Sequence, residues 1–147
     1  MKKFFYMLLV CCMLMTWMVS PVYAADTETK ADVTIIELSD TLTVEISLET
    51  FSNYRANITG GRKNFVVKSG GREVGSATLY ATFEYNGTTA WVTATDYTKT
   101  TTSGCTYSHG GITTSGNRAT MTGSFLYGGT SYPFSISLTC SGSGTVS

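Results

Sequence analysis

Between Gly75 and Tyr97, two runs of alternating side chains flank Asn86-Gly87. Alternation with period two belongs to a half-buried strand, and Asn-Gly between two such runs is a strong short-range hairpin signal. A two-residue turn at Asn86-Gly87 predicts an apolar face on which Phe83 meets Ala90, Ala81 meets Val92 and Leu79 meets Ala94. The opposite face would pair Thr82 with Trp91, Tyr80 with Thr93, and Thr78 with Thr95.

The same logic predicts a second hairpin around Gly128-Gly129. It sets Phe125 opposite Tyr132, Gly123 opposite Phe134, Met121 opposite Ile136 and Ala119 opposite Leu138. Thr41 to Glu49 also alternates, with Leu42, Val44, Ile46 and Leu48 on one side. Shorter strands are expected at Val33–Leu38, Asn64–Ser69 and Gly104–Ile112, with turns at Gly60-Gly61 and Gly70-Gly71. Phe51 to Lys63 shows no clear period. Thr and Tyr, which suit strands, are abundant, and so are the turn formers Gly and Ser. About seven strands with frequent turns predict an all-β fold: a single antiparallel β-sandwich, immunoglobulin-like, with a β-barrel as the alternative.

The start of the chain has another character. Lys2 and Lys3 precede an apolar run from Phe4 to Val19, followed by Ser20-Pro21-Val22-Tyr23-Ala24. A basic start, an apolar stretch and small residues before a cut form the export pattern, so residues 1–24 read as a signal peptide. A membrane anchor would need about 20 apolar residues, and Pro21 closes this run short of that. The expectation is a secreted, extracellular protein with no membrane span after cleavage. Its organisation would be a flexible segment at 25–31, one domain at 32–140 and a flexible tail at 141–147.

Removing Lys2 and Lys3 leaves 8 basic and 10 acidic side chains, a net charge of −2. Residues 25–50 carry seven acids against Lys30 alone, while the remainder is net basic. Acidic strands packed beside basic ones account for this most simply. Nucleic acid is not an expected partner at this charge. Of four cysteines, Cys105 and Cys140 remain after the leader, and an even count in an exported chain predicts one disulfide. Closing that loop would contribute about 4 kcal/mol in the chain-entropy picture.

No residue pattern specifies catalysis, a cofactor or a metal. His109 is the sole histidine and lies in Ser108-His109-Gly110-Gly111, which reads as a turn. Cys105 and His109 have C-x3-H spacing, but a zinc site needs three or four ligands. Glu73 and Glu84 could be paired as in a glycosidase only if they came close in space. Trp91 is more informative. Alternation places it with Tyr80, Thr82, Thr93 and Glu84 on one strand face, a platform suited to a sugar ring or a protein. A second candidate is a basic group, Arg55, Arg62, Lys63, Lys68 and Arg72, which could meet an anionic polymer.

The leader, the Gly104-Cys105 strand start and the ending Ser135-Ile136-Ser137-Leu138-Thr139-Cys140 together resemble small secreted β-sandwich proteins of Gram-positive, clostridia-like bacteria. That group has no assigned activity, so the resemblance implies no functional residues. The expected function is a non-enzymatic binding module for a cell-surface glycan, such as a cell-wall polymer, or for an extracellular protein. A secreted effector, either a bacteriocin-like toxin or a hydrolase inhibitor, is the alternative.

Overall fold

The computed structural model describes residues 29–53 and 57–147; the leader expected at 1–24 lies outside the described residues. The described chain is all β. Its eight strands are β1 (Thr29–Ser39), β2 (Leu42–Asn53), β3 (Ile58–Ser69), β4 (Arg72–Tyr85), β5 (Ala90–Thr101), β6 (Cys105–Ser115), β7 (Arg118–Tyr127) and β8 (Thr130–Thr139). They form a five-stranded antiparallel sheet in the order β1-β2-β3-β4-β5 and a three-stranded sheet in the order β6-β7-β8. Within each sheet, every strand therefore pairs with its neighbour in sequence. An immunoglobulin-like arrangement would need Greek-key crossings, and this uninterrupted meander has none. A single closed barrel is also absent, because β5 and β6 belong to different sheets.

Turn chemistry sets the registers. Gly70-Gly71 and Gly128-Gly129 both have positive φ at each residue, as a tight two-residue hairpin turn requires. The β7–β8 hairpin consequently has the predicted pairs, from Phe125 with Tyr132 to Ala119 with Leu138. The β4–β5 hairpin differs. Its loop holds four residues, because Tyr85 pairs with Ala90. The Asn86 side-chain oxygen accepts the backbone N–H groups of Thr88 (3.0 Å) and Thr89 (2.8 Å), which stabilises the wider loop. Phe83 therefore faces Val92, and Trp91 faces Glu84.

A bulge at Thr93 then adds one residue to β5, so that Thr82 faces Ala94 and Tyr80 faces Asp96. Thr93 and Ala94 both point outward there, and Thr95 and Tyr97 return to the inner face. Gly60-Gly61 is not a turn but lies inside β3. The Phe51 ring occupies the space a Cβ on Gly60 would need, and Val146 and Leu138 press on the position of Gly61. Glycine is used here for close approach rather than for chain reversal.

The inner faces of the two sheets share one buried cluster that includes Val44, Phe65, Leu79, Phe83, Met121, Phe125 and Leu138. Phe65 of β3 stacks on Phe134 of β8 at 4.5 Å and on Phe125 of β7 at 6.2 Å between ring centres. Leu42 and Val44 are buried, while Ile46 and Leu48 pack partly against this cluster, as the alternation in β2 predicts.

The predicted disulfide is absent: Cys105 and Cys140 are free, buried thiols. Strand register explains why. Cys105 pairs with Tyr127 at one end of β7, whereas Cys140 follows Thr139, which pairs with Arg118 at the other. About nine residues of strand separate those ends by about 30 Å, several times the reach of a disulfide.

The expected flexible ends are also partly ordered. Thr29 already belongs to β1. Residues 141–147 fold back, with Val146 buried and bridged to Cys140, and Thr139 and Ser147 exchange two backbone hydrogen bonds of 2.9 Å.

Candidate binding face

Alternation in β4 and β5 assembles the outer face of the five-stranded sheet. Tyr80, Thr82 and Glu84 point outward from β4, and Trp91, Thr93, Ala94 and Asp96 from β5. Trp91 is 39% exposed beside its cross-strand partner Glu84. The Thr93 hydroxyl donates to the carbonyl of Thr82 at 3.3 Å, which closes the bulge. The structure thus brings Trp91, Tyr80, Thr82 and Thr93 onto one face. Trp91 lies diagonal to Thr82 rather than opposite it, because of the wider loop.

A polar row crosses the same face. Register aligns Glu49, Arg62, Tyr80 and Asp96 on four adjacent strands. Glu49 accepts the Arg62 guanidinium, with its Nε at 2.9 Å. An aromatic ring edged by carboxylates and hydroxyls offers a flat apolar surface with acceptors and donors at its rim, which suits a polyhydroxylated or amphipathic ligand. The sequence pattern does not put Asp96 on this face, and it groups Arg62 with the other basic residues instead. Both join the row only through the β5 bulge and the β2–β3 register.

The basic residues do not share one surface. Arg62 pairs with Glu49 and Lys68 with Glu45, both on the outer face. These pairs join the acidic β2 to the basic β3, as the charge asymmetry predicts. Lys63 points to the other face and donates to the Ser137 carbonyl at 3.1 Å. It lines an open cleft of about 530 Å³ between the sheets with Ile46, Arg118 and Ser135. Arg72 is exposed at the start of β4, and Arg55 lies outside the described residues.

His109 sits in β6 beside a bulge at Gly110, not in a turn. Its ring stacks on Tyr97 at 4.1 Å and its Nδ1 is 3.0 Å from the Tyr107 hydroxyl. Lys99 lies over the Tyr107 ring at 5.3 Å. Burial, reinforced by the neighbouring Tyr97, pushes the Tyr107 phenol above its ordinary value. These contacts join β5 to β6 across the seam between the sheets. Glu73 and Glu84 occupy the same strand about eleven residues apart, or about 36 Å. That is far beyond the spacing of a glycosidase pair. Burial pushes both cysteine thiols up, so they stay protonated at neutral pH.

Comparison with protein-family models, curated proteins and solved structures returned no match.

Proposed function

We propose that this chain is a secreted, non-enzymatic binding module whose ligand-binding surface is the outer face of the five-stranded sheet. The observation that carries this reading is the partly exposed Trp91 beside Glu84, with Thr93 and Tyr80 on the same face. A sugar ring stacked on the indole would place its hydroxyls within reach of Glu84 and Thr93. A cell-surface glycan is therefore the preferred ligand class, ahead of an extracellular protein. We read the ring contacts of Phe65 with Phe125 and Phe134 as the middle of a two-layered β-sandwich, a rigid support for such a face.

The test is sedimentation of the protein, produced from its full-length sequence, with purified Gram-positive cell walls. The native protein is expected to pellet with the walls and Trp91→Ala to remain in solution. Because Trp91 is only 39% exposed, its loss should lower the denaturation midpoint, and a midpoint well above the assay temperature shows that the variant tested is still folded. Failure of the native protein to pellet refutes wall binding. Pelleting of both proteins assigns binding to another surface.

A further inference from the structure

Four strand edges terminate the two sheets, and they are treated differently. The edges of β5 and β6 close on each other's neighbourhood. Val92 N–H donates to the Gly116 carbonyl of the β6–β7 turn at 3.0 Å, and Tyr97 stacks on His109. The free edge of β8 is blunted in three ways. Ser147 pairs with Thr139, Lys63 covers the carbonyl of Ser137, and Pro133 offers no N–H. Proline and lysine at an edge are recognised means of preventing strand addition.

Among the described residues the β1 edge has no proline and no backbone pairing on its outer side, and its one lysine, Lys30, stands near the start of the strand, away from the apolar stretch. The edge also carries four of the large exposed hydrophobic side chains: Val33, Ile35, Ile36 and Leu38. Ile35 is 65% exposed, the most of any of them. Val33 and Ile35 share the outer face with Ser47 and Glu45, while Ile36 shares the inner face with Val44. Apolar groups on both faces of an uncovered edge favour another strand there over water.

We propose that the β1 edge pairs antiparallel with β1 of a second copy of this chain, centred on Ile35, joining two five-stranded sheets into one continuous sheet.

The charge pattern of β1 is self-complementary in that register. Asp32 shares the inner face with Leu48 and Glu37 the outer face with Thr43. Pairing Ile35 with its symmetry mate sets Glu37 against Val33 and Asp32 against Leu38 of the other copy. No acid then lies directly opposite an acid, and the Ile35 side chains bury each other. Moving the centre by half a residue, so that Thr34 meets Ile35, would set Asp32 against Glu37. Of the further acids, Glu45 and Glu49 on β2 are already matched by Lys68 and Arg62, while Asp40 stands exposed in the turn just after β1, beyond the paired stretch. A two-fold, isologous contact of this kind is the commonest form of self-association. The acids that remain near the edge repel only at longer range, so added salt should strengthen the pairing. A basic partner strand would show the opposite salt dependence.

The test is sedimentation velocity on the protein produced from its full-length sequence, over a concentration range up to about 100 µM. A concentration-dependent dimer that tightens with salt is expected. Ile35→Lys places two ammonium groups face to face and should weaken the dimer by roughly tenfold or more, while Ile35→Val preserves it. Ile35→Cys should give a disulfide-linked dimer under mild oxidation, because opposed residues of an antiparallel ladder bring Cα atoms within disulfide range. Cys105 and Cys140 are buried and should not compete, and Cys11→Ser and Cys12→Ser are included so that the leader thiols cannot. A protein that stays monomeric, and whose Ile35→Cys variant does not cross-link, overturns the proposal. So does a dimer that Ile35→Lys leaves intact.

Discussion

Cys140 shows how far parity alone carries. Alternation in β8 assigns it to the apolar side, and it is buried there. Parity gives the face of a strand but not the end of a sheet, so counting cysteines suggested a bridge that the register forbids. Two consequences can be measured. Reductant should leave the denaturation midpoint unchanged, because no disulfide closes the loop. Stability should also respond to alkali. Burial raises both thiols above their ordinary 9.0, so above that pH the unfolded chain releases protons that the folded chain retains. The native state is therefore favoured below pH 9.0 and loses ground as pH rises beyond it. Urea titrations across this range should show a fall that the Cys105→Ala, Cys140→Ala double variant reduces. A remaining slope at higher pH is expected from Tyr107, whose shift has the same direction from 10.0.

Among the elements, the β7–β8 hairpin was fully legible, because Gly128-Gly129 permits only a tight turn and fixes every following pair. The β4–β5 hairpin was legible as a hairpin but not in register. Asn86 can supply a left-handed turn residue or a side-chain acceptor, and here it is the acceptor. The Thr93 bulge leaves no mark in a Thr-rich run. Trp91 and Tyr80 still reach the expected face because Trp91 precedes the bulge. The Gly60-Gly61 pair misled because close approach and chain reversal call for the same residue. The bulge supports a contrast between two deletions. Deleting Thr93 restores simple alternation, so Thr95 and Tyr97 stay inward and the domain should remain folded, at a cost of about 1–2 kcal/mol. Deleting Thr122 from the regular central strand β7 inverts one side of that strand and should abolish folding. Far-UV circular dichroism and urea titration distinguish the two.

For the whole molecule, the sequence reading recovered the all-β class and most of the strands but not their division into five and three. That division depends on β5 and β6 parting at a corner held by Gly104 at φ 85° and by the aromatic seam of Tyr97, His109 and Tyr107. These are contacts between residues that local pattern cannot pair. The C-terminal residues were equally hidden, since a Ser- and Gly-rich stretch has the composition of a free tail. Removing residues 145–147 deletes buried Val146 and the paired bonds of Thr139 with Ser147. The expected loss is about 2–4 kcal/mol by urea titration.

The sequential pairing of strands within each sheet bears on how the protein comes into being. A chain that emerges N-terminus first can complete each ladder as the next strand appears, without waiting for a distant segment. Its loop-closure cost is spread over many short steps. The exception is the final fastening of Ser147 to Thr139. That contact makes the segment after β8 the latch on its edge, so the edge stays open until residues 141–147 have folded back onto it.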